Sequence, residues 1–310
     1  MKNANKITHG TFVVWKDDSG NARTGLVVDI PYVYGGHYVV LDRCTLMSWR
    51  VGSGQILKKG KKIVWLTAYD YYTARALDDA GVDGILVGDS LGMVVYGKKD
   101  TLSVTMEMML PHTEAVSRAV QYACVIGDMP FMSYQTSDAD AILNAGRFLS
   151  EGGAAGVKLE GGIEMAARIR RITEIGIPVM GHIGLTPQSI NKFGGYKVQG
   201  KTDQAKNYLL ESALALQEAG CFGMVLEAIK SDIAQKISQS LVVPTFGIGA
   251  GSLTDGQIIV TNDIVGASGD FAPKFVRRYF DLGAKLREVA SQFAADVRSG
   301  SYPNESESYG

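Results

Sequence analysis

From residue 62 onward, short apolar runs alternate with segments of helical spacing, and most runs end in a polar residue or a glycine-rich turn. The runs cover 62–68, 85–87, 124–127, 156–159, 178–181, 223–226, 242–246 and 258–265. The residues that close them are Tyr69-Asp70, Gly88-Asp89-Ser90, Asp128, Glu160, His182, Glu227 and Gly247-Ile248-Gly249-Ala250-Gly251, while the last run carries Asp263 within it. Between them, helical patterns span 70–80, 104–119, 138–150, 164–174, 204–219 and 230–238, and a long one spans 274–298. Several of these stop at a glycine, the usual left-handed cap. Eight such units predict an α/β protein, a (β/α)8 TIM barrel with its site at the carboxyl ends of the strands. A doubly wound open sheet is the other fold that the pattern admits.

Residues 11–50 follow another rhythm, with short β-branched and aromatic runs at 11–15, 24–30 and 37–41. Turn chemistry separates them at Asp17-Asp18-Ser19-Gly20-Asn21 and Tyr34-Gly35-Gly36. This predicts a small N-terminal β-module, a little barrel or a sheet of three to four strands. About 40 residues is marginal for independent stability, so the module is expected to dock on the main domain or on a neighbouring subunit. The expected domains are 1–55 (β-rich module and linker), 56–302 (catalytic barrel) and 303–310 (flexible tail). Lys58 to Lys62 read as a solvated linker face, and the glycines around 194–200 as a lid or a long surface loop.

Composition narrows the function classes. The formal net charge of -1, from 31 basic and 32 acidic residues, gives no reason to expect nucleic acid or an anionic membrane as partner. Hydrophobic residues make up 46%, yet no run approaches the roughly 20 apolar residues of a membrane span. Three scattered cysteines and no signal-peptide pattern point to buried thiols in the cytoplasm.

The chemistry lies at the strand ends. Asp89, Asp128 and Glu160 close successive strands, so in a barrel their carboxylates converge on one rim. Hard oxygen donors without a nearby cysteine suit Mg²⁺ rather than zinc. Taken singly, each acid reads more simply as a helix cap or an ion-pair partner, but three in consecutive units favour a metal site. Lys158 and Glu160, two apart, point to one side, so Lys158 brings a cation suited to a substrate carboxylate. Glu227, from a strand apart from these acids, is the candidate general base, with a cap for the next helix as its plainer reading. His182 reads as a donor to a substrate oxygen or, more simply, to a backbone carbonyl.

At these residues the chain resembles the ketopantoate hydroxymethyltransferase family of the phosphoenolpyruvate/pyruvate barrel superfamily. The motifs are Leu66-Thr67-Ala68-Tyr69-Asp70, Val87-Gly88-Asp89-Ser90-Leu91-Gly92-Met93, Asp128-Met129-Pro130-Phe131-Met132 and Val157-Lys158-Leu159-Glu160-Gly161-Gly162. They continue with Gly181-His182-Ile183-Gly184-Leu185-Thr186-Pro187-Gln188, Phe193-Gly194-Gly195-Tyr196-Lys197-Val198-Gln199-Gly200 and Leu226-Glu227. The glycine run at 247–251, Thr254-Asp255-Gly256-Gln257 and Pro273-Lys274-Phe275 complete the set. The resemblance implies hydroxymethyl transfer from 5,10-methylenetetrahydrofolate to 3-methyl-2-oxobutanoate through a Mg²⁺-stabilised enolate, giving 2-dehydropantoate for pantothenate synthesis. It implies that Asp89 and Asp128 bind Mg²⁺, with Glu160 supporting the ion. Asp89, Ser90, Asp128 and Lys158 contact the oxo acid, and Glu227 accepts the proton. It also implies a homo-oligomer, decameric in the family. Three departures stand out: the module at 11–50, Ala228-Ile229-Lys230 after Glu227, and Ala267-Ser268-Gly269-Asp270-Phe271. Two rival readings are a lyase of the same superfamily and a non-catalytic barrel scaffold whose N-terminal module does the binding.

Overall fold

The computed structural model describes residues 62–269 and 273–309 in full, and the backbone of four strands within 12–51. Those strands are β1 (Phe12–Lys16), β2 (Ala22–Val28), β3 (Tyr38–Leu41) and β4 (Ser48–Val51). They pair antiparallel in chain order, as short β-branched runs separated by turn residues should. The turns predicted at 17–21 and 34–36 and the linker up to residue 61 lie outside the described residues.

Eight parallel strands then close into a barrel: β5 (Ile63–Thr67), β6 (Gly84–Val87), β7 (Cys124–Asp128), β8 (Gly156–Glu160), β9 (Val179–Gly184), β10 (Gly223–Glu227), β11 (Thr245–Ile248) and β12 (Gly256–Ile259). Each pairs with its successor, and β12 closes the ring on β5 with Gly256 opposite Ile63. The connecting helices include α1 (Tyr71–Asp79), α2 (Leu91–Val94), α3 (Met106–Ala119), α4 (Asp138–Ser150), α5 (Ala166–Glu174), α6 (Ile190–Phe193), α7 (Asp203–Glu218) and α8 (Ser231–Ser240). Asp70, Thr105, Ser137 and Thr202 cap α1, α3, α4 and α7 by accepting a first-turn backbone N–H.

Alternation along the strands sorts the core into two layers. Val125, Val157, Leu159, Val179, Met224 and Leu226 face outward and pack against the helices. The intervening positions face the barrel axis, where Trp65, Leu86, Ile126, Met180, Val225 and Phe246 form a separate apolar cluster. Trp65 fills this space because Gly84 stands opposite it; a Cβ on Gly84 would meet the indole ring at 2.5 Å. Following the inward positions toward the carboxyl ends, Ile126 gives way to Asp128, Met180 to His182 and Val225 to Glu227, so the axis is apolar at one end and ionisable at the other.

By its contacts the chain divides into two units, Met1–Ile259 and Val260–Gly310. Two expectations in this region need correction. The apolar run at 258–265 is not one strand: β12 ends at Ile259, and Thr261–Ile264 form a helical turn, α9, in which Val265 N–H donates to Thr261 O at 3.0 Å. Thr261-Asn262-Asp263 interrupts the apolar pattern and favours local hydrogen bonding over extension. The final helix, α10 (Leu282–Ser299), starts eight residues later than the pattern at 274–298 predicts. Its start is fixed by Asp281, whose carboxylate accepts from Ala284 N–H at 2.8 Å. In the tail, Glu305–Glu307 forms a 3-10 turn closed by a capping box from Asn304.

Candidate active site

The alternation that builds the barrel core delivers Asp128, Lys158, Glu160, His182 and Glu227 to its inner rim. Asp89 and Ser90 follow β6 and begin the short turn of α2. Asp89, Asp128, Lys158, Glu160 and His182 are all buried, and Glu227 is partly open. The helix-cap readings of the acids do not describe their contacts. The carboxylate of Asp89 accepts from Gln188 Nε2 at 3.0 Å, and α8 begins after Lys230 with no side-chain cap from Glu227.

Lys158 holds the acids together. Its Nζ lies 2.8 Å from Asp128 Oδ1 and 3.6 Å from Glu160 Oε1. Asp128 Oδ2 accepts from the backbone N–H of Asp89 at 3.0 Å, which ties the ends of β6 and β7 together. His182 Nδ1 sits 3.4 Å from Glu160 Oε1 and 3.2 Å from Lys158 Nζ, while its Nε2 lies 3.2 Å from Glu227 Oε2. The ring therefore spans two carboxylates rather than a backbone carbonyl, which corrects the simpler reading of this histidine. Ser90 Oγ is 2.8 Å from the hydroxyl of Tyr69.

Burial and crowding set the protonation states. Burial, then the neighbouring Asp128 and Glu160, push the Asp89 carboxyl well above its usual range. Burial also raises Asp128, though Lys158 opposes it. Glu160 moves the other way: against burial, Lys158 and then His182 hold it below the usual range. Burial and Lys158 favour a neutral His182, but Glu160 and Glu227 outweigh them and raise it to about 9. A protonated ring lies at ion-pair distance from both carboxylates, Glu160 at Nδ1 and Glu227 at Nε2.

The donor set fits a divalent cation. Four carboxylates (Asp89, Asp128, Glu160 and Glu227) against two cations (Lys158 and His182) leave two negative charges when all are ionised. A divalent ion beside Asp89 and Asp128 would offset that excess and favour the charged form of Asp89 against burial and its acidic neighbours. Among the described residues no group of three or more His, Cys, Asp or Glu is arranged to hold a metal alone. Mg²⁺ binds through one or two carboxylates and completes its shell with water and substrate oxygens.

Two groups escaped the sequence reading. Tyr134 is buried behind Glu160: its hydroxyl accepts from Glu160 N–H at 3.1 Å and donates to Gln188 Oε1 at 2.6 Å. Gln188 in turn uses its own backbone N–H to reach Glu160 Oε2 at 3.0 Å. Nothing in local spacing marks Tyr134, whereas Gln188 stands in the motif Gly184-Leu185-Thr186-Pro187-Gln188. The loop at 194–200 is tied beside Glu227 at its far end, where Gln199 N–H donates to Ala228 O at 2.7 Å. Ala228 takes a left-handed φ of +48°, an uncommon choice for a residue with a Cβ. The glycine run after β11 is explained by crowding, since a Cβ on Gly251 would lie 2.5 Å from Cβ of Ser231.

A family model described as ketopantoate hydroxymethyltransferase matches residues 54–305. The chain is 52% identical over 255 residues to 3-methyl-2-oxobutanoate hydroxymethyltransferase of Clostridium botulinum (strain Langeland), covering 82% of this chain and 93% of that protein. It is also 52% identical over 252 residues to the protein of the same name from Syntrophus aciditrophicus, covering 81% and 93%. Among solved structures, phosphonopyruvate hydrolase in complex with oxalate and Mg²⁺ superposes with a TM-score of 0.51 at 16% identity, covering 80% of this chain and 88% of that one. At that identity the likeness speaks for the fold alone.

Proposed function

The chain belongs to the ketopantoate hydroxymethyltransferase family, and from that premise we propose how its rim of charged residues carries the reaction. The activity is that of a 3-methyl-2-oxobutanoate hydroxymethyltransferase, which makes ketopantoate. In our reading Asp89 and Asp128 hold Mg²⁺, with Glu160 supporting it, and 5,10-methylenetetrahydrofolate donates the one-carbon unit. When bound, the ion supplies Lewis-acid polarisation of the 2-oxo and carboxylate oxygens of the substrate.

The protein's own groups do the rest. Lys158 stays charged, because its three carboxylate neighbours outweigh the effect of burial, and it places a fixed cation beside the substrate carboxylate. The Ser90 hydroxyl, oriented by Tyr69, donates to a substrate oxygen. Glu227 removes the proton from C3, and the resulting carbanion equivalent attacks the methylene carbon as one of its two bonds to folate nitrogen breaks. Water then displaces the second nitrogen and supplies the hydroxyl oxygen, while the C3 proton and one proton of water go to the two folate nitrogens. His182, by holding Oε2 of Glu227, leaves Oε1 to receive the proton. We read the enzyme as a cytoplasmic homo-oligomer; among the described residues no helix is long and apolar enough to cross a membrane.

One observation carries the assignment of roles. Among the described residues Glu227 is bridged through His182 to the cluster around Lys158, so the proposed base and cation site are separate yet share one rim. The test is Glu227→Gln, incubated with 3-methyl-2-oxobutanoate and Mg²⁺ in deuterium oxide without folate. Removing a general base costs about 10²–10⁴ in rate, so C3 exchange should fall by that factor while the oxo acid still binds. Wild-type exchange in the variant assigns the proton to another group.

A further inference from the structure

Gln188 is 5% exposed on the 3-10 turn Pro187–Ser189 that follows β9. A buried carboxamide is costly unless its donors and acceptor are met, and here they are. Its Nε2 donates to Asp89 Oδ2 at 3.0 Å and to Met129 O at 2.9 Å. Its Oε1 accepts from the Tyr134 hydroxyl at 2.6 Å and from Gln135 Nε2 at 3.2 Å. Turning the amide over would set Oε1 against two acceptors, so its partners settle its orientation.

The consequence falls on Asp89. The terminal torsion of an aspartate is broad, so the backbone does not fix how the carboxylate plane is turned toward the site. Oδ2 is engaged by Gln188, while Oδ1 has no hydrogen-bond partner among the described residues. On the neighbouring acid both oxygens are occupied, Oδ2 by Asp89 N–H and Oδ1 by Lys158. We propose that Gln188 is a positioning residue: by holding Oδ2 of Asp89 it presents Oδ1 to the divalent cation, and Tyr134 fixes Gln188 for that task. The proposal rests on the magnesium reading above.

The test uses the full chain and Mn²⁺ as the probe, with binding followed by electron paramagnetic resonance in the absence of substrate. Gln188→Met is nearly isosteric, keeps the backbone N–H that reaches Glu160, and removes both side-chain donors. Outer partners of metal ligands typically contribute about 10–100-fold in affinity, so its Kd for Mn²⁺ should rise by that factor. Tyr134→Phe, which removes one of the two donors to Oε1 but leaves Nε2 in place, should shift Kd the same way by a smaller factor, and it decides the matter if Gln188→Met does not fold. The control is Thr245→Val, which removes a buried hydroxyl 2.6 Å from Ser238 Oγ and 3.0 Å from Asp255 Oδ2 at the opposite end of the barrel. Its melting temperature should drop with no change in Kd. Wild-type Mn²⁺ affinity in Gln188→Met overturns the proposal, as does unchanged affinity in Tyr134→Phe where that variant decides. Equal weakening in Thr245→Val also overturns it, since lost stability would then explain the effect. A wild-type protein that binds no Mn²⁺ removes the magnesium reading and this proposal together, a result distinct from a variant that binds normally.

Discussion

Replacing Lys158 by methionine tests whether the charge cluster is balanced as its distances imply. Methionine roughly preserves the volume of the chain and removes only the ammonium. At an effective dielectric of about 20, contacts of 2.8 Å to Asp128 and 3.6 Å to Glu160 are each worth about 5 kcal/mol before desolvation is subtracted. The variant no longer bears the cost of burying the ammonium, so the net effect is smaller; removing one partner of a buried ion pair costs about 3–5 kcal/mol. At roughly 2–4 °C per kcal/mol for a domain of this size, the melting temperature should fall by about 6–20 °C at pH 8. The deficit should also depend on pH. Without the cation, burial and mutual repulsion hold Asp89 and Asp128 further above their unfolded pKa values, and Glu160 loses the main group that holds it down. An acid with a raised native pKa costs stability above that pKa and costs less as the pH falls and it takes up its proton. The deficit should therefore shrink between about pH 8 and about pH 5. The assay is thermal unfolding of metal-free wild type and variant across that range. A melting temperature within a degree or two of wild type at pH 8, or a deficit that stays constant with pH, refutes the account.

Asp89→Ala should lose most activity together with its response to added Mg²⁺, because one of only two proposed direct ligands is gone; unchanged turnover would exclude that role. His182, raised to about 9 from an ordinary 6.5, should titrate near the higher value by proton NMR in the metal-free protein. Its charged form then adds about 3 kcal/mol of stability, fully present below pH 6.5 and lost as the pH rises through about 9, and a ring that titrates near 6.5 would refute this. Asp78, buried at the end of α1, accepts from the N–H groups of Gln121, Tyr122 and Ala123 at 2.7, 3.1 and 2.7 Å. Asp78→Ala should destabilise by about 3 kcal/mol or more in denaturant unfolding with little change in KM, and a loss below 1 kcal/mol would show that water replaces the carboxylate.

The fold was legible because a barrel repeats its signal. Each strand buried on both faces reads as a short apolar run, and most runs are followed by a helical pattern, several with a cap or glycine stop, so an error at one unit leaves the others standing. The two misread boundaries both fall where apolar periodicity continues past the element. Val260, Ile264 and Val265 prolong the strand pattern through a helical turn, and Phe275 and Val276 prolong the helical pattern before Asp281 caps α10. In both places a local hydrogen bond decides, and hydrophobic spacing carries no record of it.

The candidate site was legible in its composition and only partly in its wiring. Alternation alone places Asp128, Lys158, Glu160, His182 and Glu227 on the inner face, since each lies an even number of residues from an apolar position lining the axis or from another of the five. Parity does not reveal partners, which depend on the closing of the ring. His182 meets Glu160 because β8 and β9 pair with these two residues in register, and it meets Glu227 from the other side because β10 is the next strand. A histidine between two carboxylates from adjacent strands is thus a product of barrel register, and the same register sets Lys158 one step toward Asp128. The charge order around the rim follows strand by strand: acid on β7, lysine and acid on β8, histidine on β9, acid on β10. Opposite charges alternate from Asp128 to Glu227, so along this order like charges adjoin at the β6–β7 end alone, where Asp89 stands beside Asp128. In the proposed mechanism the divalent cation belongs at that end, and Glu227, at the far end of the rim, is the proposed proton acceptor.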